Sequence, residues 1–506
     1  MRILTKSQMI EAEKQSPDYG VSLARLMDNA GYGLFEVIKE YAYKNHKTDC
    51  LLIIGSGNNG GDGLVAANHL KNSGISPTVL LTSDIKTELA KDAFLRLDHD
   101  VRVLHLTDKD ASDAVLKSSI IVDCVFGTGF HGEFNDDIKN LFTIVSQASA
   151  YKIACDLPSG VNCENGFVAE GTVKYDKTVC FHAVKLGCLL SPAKEYCGEI
   201  EVWEIGVPNG ILPLFETIVF DRDAAHAALP PRPDNAHKGT FGRLTIIAGS
   251  EKYPGAACLC TRAALRSGVG IVNVATIEQN AVHMAPVIPE ATYHYLLKAS
   301  RDGSISSKNI PELLKEAENS DAVLIGCGLS KTPDTIEIVS ELVKSSKGTL
   351  IIDADGINCL CENIDVLKNT KATVILTPHP GELSRLVDKS LGKTLETRVN
   401  SVIDFCTEYG VTVISKSRES FVFDGKKAYL VCSGNSALSK GGSGDMLAGI
   451  IASLSAQGIC PTDACALGSF ILGSCAEELS KTMSRRAIIA SDIINALPGV
   501  LFSLEK

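Results

Sequence analysis

Cys50-Leu-Leu-Ile-Ile-Gly-Ser-Gly-Asn-Asn-Gly-Gly-Asp-Gly63 joins an apolar run of strand length to a glycine-rich segment, and residues 62–73 continue with helical spacing. An uninterrupted apolar run fits a strand buried on both faces, as in a parallel sheet. A strand that passes through glycines into a helix can turn backbone N–H groups toward a phosphate. Working outward, further strands are expected near 77–82, 101–105, 120–125, 151–155 and 178–181, with helices near 85–98 and 137–149. Residues 1–49 read as helical, with Leu23, Leu26, Met27 and Ala30 on one apolar face before a glycine-containing break at Gly31–Gly33. The alternation predicts an α/β domain with a mostly parallel sheet.

A second series starts at Phe241-Gly-Arg-Leu-Thr-Ile-Ile-Ala248 and runs through 321–325, 349–352, 373–376 and 411–414. Residues 421–423 and 428–431 flank Asp424-Gly425, a hairpin signal. Helices near 444–457 and 461–480 are rich in small residues and should pack closely on the sheet. Between the two series lies Asp221-Arg-Asp-Ala-Ala-His-Ala-Ala-Leu-Pro-Pro-Arg-Pro233, whose prolines break a helix ladder. A chain of 506 residues exceeds one ordinary core. The expected division is 1–220, a linker at 221–234, and 235–506. The halves do not read as copies of each other.

The net charge of −11 disfavours a broad nucleic-acid surface. The N-terminus turns polar at once, without a signal-peptide core, and no apolar run has membrane-spanning length. The 17 cysteines are scattered, several inside apolar segments, where a thiol acts as a small hydrophobe. Cys258 and Cys260 lack a matching ligand pair for zinc. These features predict a cytoplasmic protein with no membrane and no nucleic-acid partner.

Chemistry concentrates in two glycine-rich segments. In the first, Asn58, Asn59, Gly60, Gly61 and Asp62 place short polar arms among glycines that permit close ligand approach. The pattern differs from the GxGxxG dinucleotide fingerprint, because Asn and Asp occupy interior positions. Asp123-Cys-Val-Phe-Gly-Thr-Gly129, Asp156-Leu-Pro-Ser-Gly160 and Phe181-His-Ala-Val-Lys185 follow other strands of this half. In a doubly wound sheet such strand ends converge on one crevice. Asp156 is then available for proton transfer; alternatively, Asp156 and Ser159 cap a helix or brace a turn. Lys185 reads equally as a phosphate contact or as surface charge.

In the second, Gly434–Asp445, Gly441, Gly442 and Gly444 can leave N–H groups pointing inward, while Ser443 and Asp445 open a helix. Asp445 is placed to take the proton of an attacking hydroxyl, or simply to cap that helix. The Gly-Lys-Ser/Thr ending of a Walker A loop is absent. Thr377–Glu382 offers His379 and Glu382, with His379 either binding a ligand or packing its loop. Asp353, Asp355 and Asn358 offer oxygens that can order Mg²⁺ beside a diphosphate, or serve as caps.

With these motifs in place, residues 1–215 resemble the NAD(P)HX epimerase family, through Leu26–Gly31, Asn58–Gly63, Asp123–Gly129 and Asp156–Gly160. The resemblance implies a Rossmann-like three-layer domain that interconverts the R and S forms of NADHX or NADPHX at C6. It implies K⁺ contacts at Asn59, Asp123 and Ser159. It assigns substrate binding to Asn58–Asp62 and to Gly127, Thr128, Gly129, Phe130, His131, Gly132 and Glu133, with Asp156 moving the proton. One path is C6–OH deprotonation, transient C–O opening and reclosure on the other face.

Residues 235–500 resemble the ADP-dependent NAD(P)HX dehydratases, a branch of the ribokinase-like superfamily, through His237–Gly242, Ala248–Ser250, Gly255-Ala256, Gly268–Gly270, Gly326–Gly328, Asp353–Asn358, Thr377–Glu382 and the last glycine segment. The resemblance implies a ribokinase-like three-layer domain. Asp445 would deprotonate the C6 hydroxyl, ADP would phosphorylate it, and loss of phosphate would restore the C5=C6 bond, releasing AMP. Ala256, Gly328, His379 and Asp445 would meet the substrate. Lys416, Gly441, Gly442, Ser443 and Gly444 would serve the nucleotide, with its Mg²⁺. Three positions depart from the family pattern: Ser417 replaces a glycine, Cys327 a proline and Leu472 a histidine. A homo-oligomer is common in both families. A ribokinase-like kinase with an accessory domain, and a nucleotide-binding scaffold with decayed sites, are the competing readings. ADP against ATP, and NADHX against NADPHX, stay open.

Overall fold

The computed structural model describes residues 1–208, 211, 217–387 and 395–506. It divides into two compact units, Met1–Glu216 and Thr217–Lys506. Residues 217–228 hold a strand, Thr217–Val219, and a helix, Arg222–Ala228, both in the second unit. The segment read as the end of the first domain and the start of a linker therefore carries regular structure.

The first unit has a seven-stranded sheet in the order Arg102–His105, Ser76–Leu81, Asp49–Ile54, Ile120–Cys124, Tyr151–Cys155, Lys177–Phe181, Glu199–Trp203. All neighbours are parallel. Leu51, Leu52, Ile53 and Ile54 are each 0% exposed, which explains the unbroken apolar run: helices cover both faces. Chain order reverses between Asp49–Ile54 and Ile120–Cys124, so a crevice opens beyond their carboxyl ends. The glycine segment leaves the first of these strands and Asp123–Gly129 leaves the second.

Two local differences from the sequence reading matter. Residues 1–49 begin with a short strand, Arg2–Leu4, paired parallel to Val184–Lys185, before helices Lys6–Gln15 and Leu23–Lys44, the second of which runs through Gly31–Gly33 without the expected break. Asn58–Gly63 is not a free loop but the opening of helix Asn58–Asn72, whose N-cap is Gly57. Glycines resist helix interiors, but this helix is set by burial and by the close crossing of Leu23–Lys44. An added Cβ at Gly31 would lie 2.4 Å from Val65 Cβ, so only glycine permits that approach.

In the second unit, Thr292–Leu297, Ile271–Ile277, Arg243–Ile247, Ala322–Ile325, Thr349–Ile352, Thr373–Leu376 and Thr412–Ser415 follow one another in parallel. Ser420–Phe423 and Ala428–Val431 then add the expected antiparallel hairpin, and Thr217–Val219 pairs parallel to its outer strand. Helix Ser443–Ala456 is buried from Met446 onward. Its small residues let it sit close: a Cβ at Gly449 would lie 2.2 Å from Cys260 O. Among the described residues, no helix is long and apolar enough to cross a membrane. None of the cysteines forms a disulfide, and most are buried.

Candidate active sites

The crevice of the first unit contains a cavity of about 220 Å³. Of the residues expected to hold substrate, Asn58, Asn59, Asp62, Gly127, Thr128 and Asp156 line it, joined by Glu13 and Lys185. Gly60 and Gly61 lie beneath, where Cβ atoms would come within 2.3 Å of Gly55 O and 2.6 Å of Met27 Cε. The remainder of the second loop is not part of the lining of this cavity. Phe130 is buried against Phe126 and Phe134, the His131 ring bonds Gly129 O at 2.9 Å, and Glu133 accepts from Glu170 N at 3.1 Å.

Asp156 stands in the left-handed region, with φ of 66°, immediately after strand Tyr151–Cys155. A non-glycine residue there is held by its surroundings. Its carboxylate accepts from Phe181 N at 3.3 Å and is ion-paired with Lys185. Neither a helix cap nor a surface lysine is what the structure shows: Lys185 is 2% exposed. Desolvation opposes the charge on Lys185, but Asp156 together with the neighbouring Cys180 and Cys188 outweighs it, and the ammonium pKa is raised. Asp62 and Glu13 meet this pair and, among the described residues, have no ion-paired cation of their own. Burial, followed by Asp156, pushes both carboxyls upward, Asp62 well above the usual range. Glu13 was not singled out from sequence, because a single acid in the polar helix Lys6–Gln15 reads as solvated.

Asp123 and Ser159 lie under the cavity, fully buried. Asp123 accepts from Ser159 Oγ at 2.8 Å, Ser159 N at 2.9 Å, Val125 N at 3.0 Å and Tyr175 OH at 2.6 Å. Ser159 Oγ is also 3.4 Å from Phe126 O. The buried Asn59 amide nitrogen has no hydrogen-bond partner.

In the second unit Gly442, at φ 96°, is the N-cap of helix Ser443–Ala456. Asp445 thus lies inside the first turn and caps nothing. Its carboxylate joins Cys327 Sγ and Asp353 within 4.8 Å of one another. Asp353 is buried; Oδ1 takes Lys416 Nζ at 2.6 Å and Thr377 Oγ1 at 2.5 Å, while Oδ2 faces Cys327 Sγ at 3.6 Å. Burial and the neighbouring Asp353 raise the pKa of Asp445 to about 6, against the lowering effect of the Cys327 thiol and Lys416. Lys416 leans over the glycine segment, and a Cβ at Gly444 would lie 3.5 Å from its Nζ. Ala256 and Gly328 face each other so closely that a Cβ at Gly328 would lie 2.7 Å from Ala256 Cβ.

Two of the expected residues also serve local structure. His379 caps helix Pro380–Leu386 through Gly381 N at 3.0 Å, and Glu382 accepts from His379 N at 2.8 Å. Asp355 accepts from Ser330 N at 2.8 Å and Asn358 Nδ2 at 3.4 Å, which braces the turn. Of the departures, Leu472 is buried in helix Pro461–Leu479, and Ser417 Oγ bonds Glu419 O.

A carboxylate–ammonium pair in a switch-point crevice, together with a glycine-headed helix carrying a second carboxylate, defines a two-domain α/β enzyme with a Rossmann-like and a ribokinase-like half. Residues 23–187 match the model of the YjeF-related protein N-terminus, and residues 244–499 match that of the NAD(P)H-hydrate dehydratases. The chain belongs to the family of bifunctional NAD(P)H-hydrate repair enzymes. It is similar to a protein of that name from Moorella thermoacetica, at 31% identity over 100% of this chain and 98% of the relative. Another, from Archaeoglobus fulgidus, is 30% identical over 100% of both chains. The crystal structure of a hypothetical protein from Streptococcus mutans is 27% identical, covers 57% of this chain and 100% of its own, and has a TM-score of 0.50.

Proposed function

We propose that the first cavity epimerises R- and S-NAD(P)HX and that the second centre converts the S form to NAD(P)H, with ADP as phosphoryl donor. The pairing of Asp156 with buried Lys185 carries the first assignment, because it places a carboxylate and an ammonium together on the wall of the switch-point cavity. Asp156 takes the C6 hydroxyl proton. An alkoxide at C6 expels N1 more readily than its own oxygen, so the opening is assigned to C6–N1 instead of C–O. Gly127, Thr128 and Asn58 bind the substrate, and the aromatic packing of Phe130 keeps their loop in place.

K⁺ would be held by Asn59, Asp123 and Ser159. A buried carboxylate, a buried hydroxyl and the amide oxygen of Asn59 offer the oxygen ligands a weakly charged cation takes; the unpartnered Asn59 Nδ2 is a donor and is not one of them. When bound, it would supply positive charge to Asp123 and tie the loops under the cavity together.

In the second centre Asp445 takes the hydroxyl proton as the oxygen attacks the β-phosphorus of ADP, and AMP leaves. Phosphate then departs with the electrons of the C6–O bond as the N1 lone pair forms C6=N1, and loss of the C5 proton to solvent returns that pair to N1 and leaves C5=C6. The helix start at Gly442–Gly444 and Lys416 favour the negative charge of the transferring group. Mg²⁺ would neutralise phosphate charge. Cys327, Asp353 and Asp445 are not a cage for a hard cation, so phosphate and water must supply most of its ligands.

The test follows both epimers chromatographically with ADP, ATP or neither. Asp445→Asn should stop nucleotide-dependent repair and leave epimer exchange; Asp156→Asn should do the reverse. A stable phosphorylated product would favour a kinase, and loss of exchange in Asp445→Asn would contradict the division of labour.

A further inference from the structure

The first cavity contains more acid than one base requires. Asp156 reaches it from the turn after Tyr151–Cys155, with its charge matched by Lys185. Asp62 reaches it from helix Asn58–Asn72 and, among the described residues, has no basic side chain at ion-pair distance. Glu13 enters from helix Lys6–Gln15. Opening a C6–N1 bond needs a base at the hydroxyl and a proton donor at the departing nitrogen. We propose that Asp62 is that donor, working opposite Asp156 on the same substrate; the inference rests on the epimerase reading.

The charged groups facing Asp62 are Asp156, Glu13 and Lys185. Burial first, then the two carboxyls, favour its protonated form, and Lys185 only partly opposes them. A carboxyl driven toward its protonated form, beside one ion-paired with an ammonium in the same cavity, can serve as acid to the other's base. Glu13 is raised less strongly and serves to repel a second negative charge from Asp62.

The steps balance without any other reactant. Asp156 accepts the hydroxyl proton, and the O–H electron pair becomes the second bond of C6=O. The C6–N1 pair moves onto N1, conjugated with the carboxamide, and Asp62 gives N1 its proton. Rotation about C5–C6 presents the other face of the aldehyde. N1 then attacks C6 while returning its proton to Asp62, and Asp156 returns its proton to the oxygen.

The experiment uses the full-length protein and NADPHX enriched in one epimer. Asp62→Asn keeps the size of the side chain but cannot transfer a proton. It should slow exchange about 100-fold or more, with half-saturation changed less than about threefold. Asp62→Glu should recover part of the rate, and the wild-type rate should fall toward alkaline pH as the donor ionises. Exchange within about threefold of wild type in Asp62→Asn overturns the proposal, as does a loss confined to half-saturation. Loss in Glu13→Gln with Asp62→Asn intact moves the donor to Glu13 and equally overturns it. Should Asp62→Asn not fold, a wild-type rate that is flat toward alkaline pH overturns it. Absence of exchange in the wild-type protein would instead defeat the epimerase reading.

Discussion

Asp445 shows how one environment sets both chemistry and stability. A base with a pKa of about 6 is largely ionised at neutral pH, yet still accepts a proton well. The kcat/KM of nucleotide-dependent repair should therefore fall about tenfold per pH unit below about 6, measured with S-NADPHX. The stability effect has the opposite sign. Because the folded pKa lies above the ordinary 3.8, the folded state binds the proton more tightly, and stability falls as pH rises from about 3.8 to 6. Above that window the charged Asp445 is a standing cost. Asp445→Asn should stabilise the nucleotide-free protein by roughly 1–3 kcal/mol near neutral pH and by less under mild acid, read from denaturant melts. Much of this centre was legible: the glycines and Asp445 announce a helix start, and Lys416 was marked for it. The Asp353–Lys416 pair was not, because the two residues are 63 positions apart and only the sheet order joins them. His379 illustrates the opposite limit, since the same Pro-His-Pro-Gly-Glu spelling serves a ligand contact or a helix cap.

At the scale of elements, most apolar strands are legible from their unbroken runs, but Ile271–Ile277, interrupted by Asn273 and Thr276, and Thr292–Leu297 are not, nor are residues with two plausible states. Asn58–Gly63 contains residues that disfavour helix interiors, yet it forms the opening of a helix because Gly31 lets helix Leu23–Lys44 come against it. Glu199–Trp203 alternates charged and apolar residues, as an edge strand can, and was not read as a strand. The Gly31 crossing yields a direct test. Gly31→Ala places a methyl group 2.4 Å from Val65 Cβ and must push the two helices apart. It should destabilise the first unit by about 1–3 kcal/mol and weaken epimer exchange, because helix Asn58–Asn72 carries Asn58 and Asp62. Replacing Val65 by Ala in the same protein should recover part of the loss in thermal melting.

For the whole molecule, the two units divide the work at the level of residues: each carboxylate centre is built from its own unit. Full-length Asp156→Asn and Asp445→Asn proteins, each deficient alone with R-NADPHX, should together convert it to NADPH when mixed with ADP. A lag that shortens in proportion to added enzyme is expected, as the S epimer travels through solution; failure of the mixture would show that transfer within one chain is required. The burial of Lys185 has a consequence outside catalysis. An amine-reactive acyl ester should label the exposed lysines of the native protein and spare this one until the first unit opens. The modification state of a single peptide then becomes a built-in gauge of how often that unit breathes.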